Sequence, residues 1–199
     1  MELLAGRTDD CPGPRTTNLL CRGDILVCCG DVSDDLATLG EVLGLFKSLF
    51  AHVFFVPGNH ELWVRQRDRA AGTHDSVTKL RHVLELCARL GVLTAPDCLG
   101  GRLWIVPLYA WHHQSWDKEP DIDGIPPATA LTVSDYAATR WPAWVPGAGS
   151  PGSMLTADWF DSLNDSPAWE DALASRQDAD VISFSHFLPH QELLPEKRL

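Results

Sequence analysis

Two short segments set side chains able to hold a cation directly behind glycine: Gly30-Asp31 and Gly58-Asn59-His60-Glu61. Asp31 and Asn59 lie 28 residues apart, room for one helix and one strand. Glycine tolerates a sharp turn, so the side chain that follows projects into a crevice instead of the core. A third segment, Ser183-Phe184-Ser185-His186, sets a histidine behind a β-type run. A carboxylate, an amide oxygen and an imidazole make a ligand set that suits hard or borderline divalent ions such as Zn²⁺, Mn²⁺ or Fe²⁺ better than soft ones. The chemistry this predicts is metal-assisted hydrolysis.

These residues can meet only if each stands at the C-terminal end of a parallel strand, where open α/β sheets form their ligand crevice. The sequence provides for this. Residues 24–30 form a short, nearly continuous apolar run ending at glycine, the pattern of a strand covered on both faces. Ser33 can cap a following helix whose Leu36, Leu39, Leu43, Phe46 and Phe50 recur at helical spacing. Residues 53–56 repeat the buried-strand signature, which makes a βαβ unit. Val77, Leu80, Leu84, Cys87 and Leu90 mark a second crossover helix closed by Gly91, residues 103–107 another strand and 180–185 a late one, preceded by a helix starting at Ser166-Pro167. The fold class is α/β, with a largely parallel sheet flanked by helices. Residues 119–152 are rich in proline and glycine and read as a long loop whose Trp141 and Trp144 either anchor it to the body or line a cleft.

At these positions the chain resembles the calcineurin-like metallophosphoesterases, whose motifs run Asp-x-His, Gly-Asp-x-x-Asp, Gly-Asn-His-Asp/Glu, a lone histidine after a strand, and Gly-His-x-His. Gly30-Asp31-Val32-Ser33-Asp34 is similar to the second motif, Gly58-Asn59-His60-Glu61 to the third and His186 to the fourth, in family order, over roughly residues 24–190. The resemblance implies a two-sheet αββα sandwich with helices outside. It also implies metal-dependent hydrolysis of a phosphate mono- or diester at a dinuclear-type centre of Mn, Zn or Fe ions. Asp31 would bridge the two ions, Asn59 and His186 would ligate the second, and His60 would be catalytic, contacting the phosphoryl oxygen or protonating the leaving group. Asp34 and Glu61 would stand behind these ligands, Asp34 orienting His60 or its loop. His112 and His113, after the 103–107 strand, are candidate substrate contacts and equally well ordinary loop histidines.

The chain departs from the pattern at both ends. Its first histidine is His52, after Asp31, so no Asp-x-His precedes it, and His190 alone follows His186, so Gly-His-x-His is missing too. Four usual ligands are absent, leaving Asp31, Asn59 and His186 for one ion or none. The alternative reading is therefore a catalytically impaired, truncated isoform or fragment that acts as a noncatalytic binding protein. Residues 1–23 are expected to be an irregular segment, and 24–199 a partial phosphoesterase domain, incomplete at both ends.

Composition excludes other classes. Lysine plus arginine number 16 against 27 acidic residues, a net charge of −11, which argues against general binding to a nucleic-acid backbone. No stretch approaches the roughly 18 apolar residues of a membrane span, and the polar start lacks a signal core, so no membrane is expected and the location expected is cytoplasmic. The six cysteines show no Cys-x-x-Cys spacing and read as reduced thiols. No nucleophile elbow, P-loop or dinucleotide fingerprint occurs. Asp117, Glu119, Asp121 and Asp123 do not follow the ligand order of a calcium loop and read as a solvated face. The partner expected is a phosphoester substrate; no protein partner is indicated.

Overall fold

A computed structural model describes residues 21–118, 120, 124 and 133–193. Most of the irregular segment expected over 1–23 lies outside the described residues, as do Glu119, Asp121 and Asp123 of the acidic cluster and much of the 119–152 loop.

Strand β1 (Ile25–Cys28) is followed by helix α1 (Leu36–Leu49) and strand β2 (His52–Phe55). The two strands pair in parallel from Ile25 against His52 to Cys28 against Phe55, as the expected βαβ unit requires. The N-cap of α1 is Asp35, which accepts the backbone N–H of Thr38, and not Ser33. Ser33 Oγ instead accepts from the Asp35 amide, so the hydroxyl shapes the turn one step before the cap. After the short helix α2 (Gln66–Ala70), helix α3 (Ser76–Leu90) runs from an Asp75 cap to Gly91, which ends it at φ 68°. Leu39 and Leu43 of α1, Val83 and Cys87 of α3, and Val53 and Phe55 of β2 bury one another in the first core cluster. Burial drives the Cys87 thiol up to about 12, so it behaves as an apolar group.

A second sheet holds β3 (Asp97–Leu99), β4 (Leu103–Leu108) and β5 (Asp180–Ser185) in that order. β4 and β5 are parallel, Leu103 against Asp180 through Leu108 against Ser185, while β3 folds back antiparallel on β4. Between β4 and β5 the chain forms α4 (Ser134–Ala138), α5 (Met154–Asp161) and α6 (Pro167–Ala174). Ser166 caps α6 by accepting from Trp169, as its Ser-Pro start predicts. A second core of Leu62, Leu80, Trp111, Ala157 and Phe160 joins this half to α3. Trp141 stands edge-on to Trp111 and Trp159, with centroids 5.1 and 5.9 Å apart, and so anchors its segment. Trp144 stays 63% exposed and stands T-shaped to Trp159 with centroids 5.6 Å apart. The result is the expected mixed α/β architecture with two sheets flanked by helices. Among the described residues, no helix is long and apolar enough to cross a membrane.

Candidate metal centre

The loops after β1 and β2 touch backbone to backbone. Gly30 has φ 79°, and a Cβ there would lie 2.4 Å from the Gly58 nitrogen. A Cβ on Gly58 would lie 2.3 Å from Asp31 Oδ1. Only glycine at both positions allows this approach, which is what brings Asp31 beside Asn59. Asp31 itself is left-handed at φ 56°, a conformation that costs energy in a residue other than glycine and is best tolerated by Asp and Asn. Its Oδ1 accepts the His60 backbone N–H at 3.1 Å, and its Oδ2 lies 3.8 Å from His60 Nε2.

His186, delivered by the end of β5, closes the group. Its Nδ1 is 2.7 Å from the Cys29 carbonyl oxygen, which can only accept, so Nδ1 carries the proton. The lone pair of Nε2 in the neutral ring then faces Asn59 Oδ1 at 2.7 Å and Asp31 Oδ1 at 3.4 Å. Three acceptor atoms converge with no donor among them, an arrangement that asks for a cation or a second ring proton. The Cys29 carbonyl would play the orienting part usual for a ligating imidazole if His186 held an ion. One carboxylate, one amide oxygen and one imidazole fit one divalent ion. Among the described residues, no group of three or more His, Cys, Asp or Glu side chains is placed to hold a metal, and this set draws its third ligand from an asparagine.

Glu61 explains how the two loops keep their shape. It is fully buried, and its carboxylate accepts four backbone N–H groups: Asp31 (2.9 Å) and Gly58 (2.7 Å) on Oε2, Val32 (2.7 Å) and Ser33 (2.9 Å) on Oε1. A single carboxylate thus ties the first loop to the second. Asp34 pairs with Arg65 at 2.7 Å and with Arg67, residues just beyond His60, so it holds the His60 loop and not the imidazole. Its own burial pushes the carboxyl up, but the two guanidinium groups outweigh this and hold it below the usual carboxylate range. Lys79 of α3, 1% exposed, donates to the carbonyls of Asp34 and Trp63 and to Asp68 Oδ2 at 3.0 Å.

Sequence reasoning missed Trp63, Lys79 and Asp135. Trp63 stacks on His60 with centroids 3.6 Å apart, and the Arg65 guanidinium lies over the Trp63 ring, 4.3 Å from its centroid. Asp135 of α4 accepts from both Asn59 Nδ2 and Trp63 Nε1 at 2.6 Å. Lys79 does leave a signal, since a lysine on the face of α3 that also carries Ser76, Leu80 and Val83 must be buried. Asp135 leaves none, because it sits in a stretch without periodicity.

The two loop histidines part company. His113 is buried, with Nε2 2.7 Å from Asp161 Oδ2 and its ring parallel to Trp116 at 4.3 Å. His112 bonds Gln114 at 3.2 Å and lies 6.0 Å from the Phe187 ring, on the His186 side. Beyond α4, Trp111, Tyr136, Arg140, Trp141 and Ser153 line a cavity of about 370 Å³.

A glycine-ended parallel strand pair carrying Asp31 and Asn59-His60-Glu61 is thus met by the strand-end His186. The model of the calcineurin-like phosphoesterases matches residues 14–190, and the chain belongs to that family. Members of that family generally use divalent metal ions. The chain is 31% identical over 104 residues to the [acyl-carrier-protein] phosphodiesterase PptH of Mycobacterium tuberculosis, a match covering 48% of this chain and 31% of that protein. The crystal structure of the phosphopantetheinyl hydrolase PptH from the same organism shares the fold, with TM-score 0.56 and 22% identity over 83% of this chain. This chain covers 58% of the chain in that structure.

Proposed function

We propose that this chain hydrolyses a phosphodiester with the help of a divalent ion, Mn, Zn or Fe, held by Asp31, Asn59 and His186. The observation that carries this reading is the convergence of Asp31 Oδ1, Asn59 Oδ1 and His186 Nε2 within 2.7 to 3.4 Å of the imidazole nitrogen. The ion, when bound, would polarise the phosphoryl group and lower the pKa of a water. The family's dinuclear form would share Asp31 between two ions, and these residues supply ligands to one of the two positions. His60, steadied by Trp63 and beside Asp31, is assigned to the phosphoryl oxygen or to delivering a proton from Nε2 to the leaving group. Glu61 holds both loops and Asp34 the His60 loop. His112, on the Phe187 side, is assigned to substrate contact, whereas His113 is engaged with Asp161.

The name of the mycobacterial relative supports a phosphodiester on a carrier protein as the substrate class. Free thiols at Cys21, Cys28, Cys29, Cys87 and Cys98 support a cytoplasmic location. A second reading, a noncatalytic binding protein, is favoured by one observation: Asp31, Asn59 and His186 converge as the ligands of a single ion position. The test is hydrolysis of bis(p-nitrophenyl) phosphate and of a phosphopantetheinylated carrier protein by the Mn²⁺-loaded chain. Turnover that disappears in Asp31→Ala supports the enzyme. Mn²⁺ binding without turnover on either substrate supports the noncatalytic reading, and turnover retained in Asp31→Ala rejects the ligand assignment.

A further inference from the structure

We infer that Asp135 is the positioning residue of this centre: one carboxylate oxygen sets both the ligating face of Asn59 and, through Trp63, the His60 ring. The inference rests on the proposed ligand role of Asn59. The two ends of an asparagine amide are nearly the same size, so packing alone does not decide which one faces a cation. The wrong orientation would present an NH₂ group to the ion and remove a ligand. A carboxylate settles the choice because it accepts and cannot donate. Asp135 Oδ1, 2.6 Å from Asn59 Nδ2, rewards the orientation that turns Oδ1 toward His186, and would repel the flipped amide oxygen.

The same atom accepts from Trp63 Nε1 at 2.6 Å. That bond fixes the rotation of the indole on which His60 stacks at 3.6 Å. Asp135 therefore governs two groups with different tasks, 76 residues away in sequence at Asn59 and 72 at Trp63. Its own placement is well determined. The Asp135 carbonyl accepts from the Thr139 amide (2.8 Å) and hydroxyl (2.6 Å), Val64 donates to the Ala138 carbonyl (2.9 Å), and the Arg140 amide donates to Ser76 Oγ (2.8 Å). α4 is thus pinned to the His60 loop and to the start of α3, and can act as a fixed reference for both.

The test compares wild type with Asp135→Ala, Asp135→Asn and Trp63→Phe, reading the Mn²⁺ dissociation constant, the kcat on bis(p-nitrophenyl) phosphate at saturating Mn²⁺, and the metal-free NMR signal of the Trp63 indole N–H. Asp135→Ala should weaken Mn²⁺ binding about 10- to 100-fold, lower kcat even when saturated, and shift the indole signal. Asp135→Asn, whose amide oxygen still accepts both bonds, should recover most of the affinity and keep the signal near its wild-type position. Trp63→Phe should identify the resonance and lower kcat with Mn²⁺ affinity near wild type. Asp135→Ala within twofold of wild type in affinity and kcat would overturn the inference. So would an Asp135→Asn variant as impaired as Asp135→Ala, since charge and not acceptor geometry would then be at work. A wild-type chain that binds no Mn²⁺ rejects the proposed function, and the indole signal then decides on the Asp135 bond by itself. If Asp135→Ala fails to fold, Asp135→Asn and Trp63→Phe carry the comparison.

Discussion

Glu61 shows how much one side chain can hold. Each carboxylate oxygen accepts two backbone N–H groups, so replacing either oxygen by an NH₂ faces two donors with a third. Glu61→Gln should destabilise the chain by about 1–3 kcal/mol, because its NH₂ must face two donors, at best the partly buried Val32 and Ser33 amides, and should lower Mn²⁺ affinity as the loops part. Thermal unfolding and Mn²⁺ titration check this, and a wild-type melting temperature would contradict the clamp. His60 is different in kind. Its hydrogen bond to Asp31 is made by the backbone amide, with the ring nitrogen farther off at 3.8 Å, so His60→Ala should retain Mn²⁺ within a few-fold of wild type while turnover falls about 10²-fold or more. Loss of metal in that variant would move His60 among the ligands. Asp31 and Asn59 were legible in the sequence because each directly follows a glycine behind an apolar run, and His60 and Glu61 because they continue the Gly-Asn-His-Glu motif. Asp135 was not, since its role comes from a tertiary contact with no local signature.

Among the elements, α3 carries the device that registers the two loops. The ammonium group of Lys79 draws the Asp34 carbonyl of the first loop and the Trp63 carbonyl of the second toward one point, with Asp68 as counter-ion. Lys79→Met leaves the buried Asp68 carboxylate without its counter-ion, though still accepting the Arg65 amide, and should cost about 3–5 kcal/mol, read from denaturant unfolding; a loss under 1 kcal/mol would refute this account. The βαβ unit and β5 could be read from sequence because their apolar runs are short, β-branched and bounded by turn residues, and the pairing of β1 with β2 followed from the length between them. β3 could not. Three residues inside Pro96-Asp97-Cys98-Leu99-Gly100-Gly101 give no alternation, and their strand exists only because β4 offers an edge to pair with. The cap of α1 was misplaced by two residues for a similar reason. Ser33, Asp34 and Asp35 are all competent caps, and Asp34 and Ser33 are drawn off by Arg65, Arg67 and the Asp35 amide.

For the molecule as a whole, acid should weaken the fold through the carboxylates around these loops. Arg65 and Arg67 outweigh burial to lower Asp34, and hydrogen bonds from the Thr38 amide and hydroxyl lower Asp35. A carboxyl with a depressed folded-state pKa adds stability that is complete above its unfolded value, near 4, and is lost as pH falls through the lower folded value. The melting temperature should therefore hold between about pH 7 and 5 and drop below about pH 4, with a smaller drop in Asp34→Asn. An unchanged acid limb in that variant would refute the contribution. β5 has a wider consequence. It lies at the end of its sheet's strand order among the described residues, with Val181 42% and Ile182 49% exposed. A β-strand of that kind is a template on which another chain can grow, and this strand also delivers His186. If His186 holds the ion as proposed, self-association at this strand would act on the imidazole end of the ligand set, and the metal content of a concentrated stock would reflect its storage history as well as its sequence.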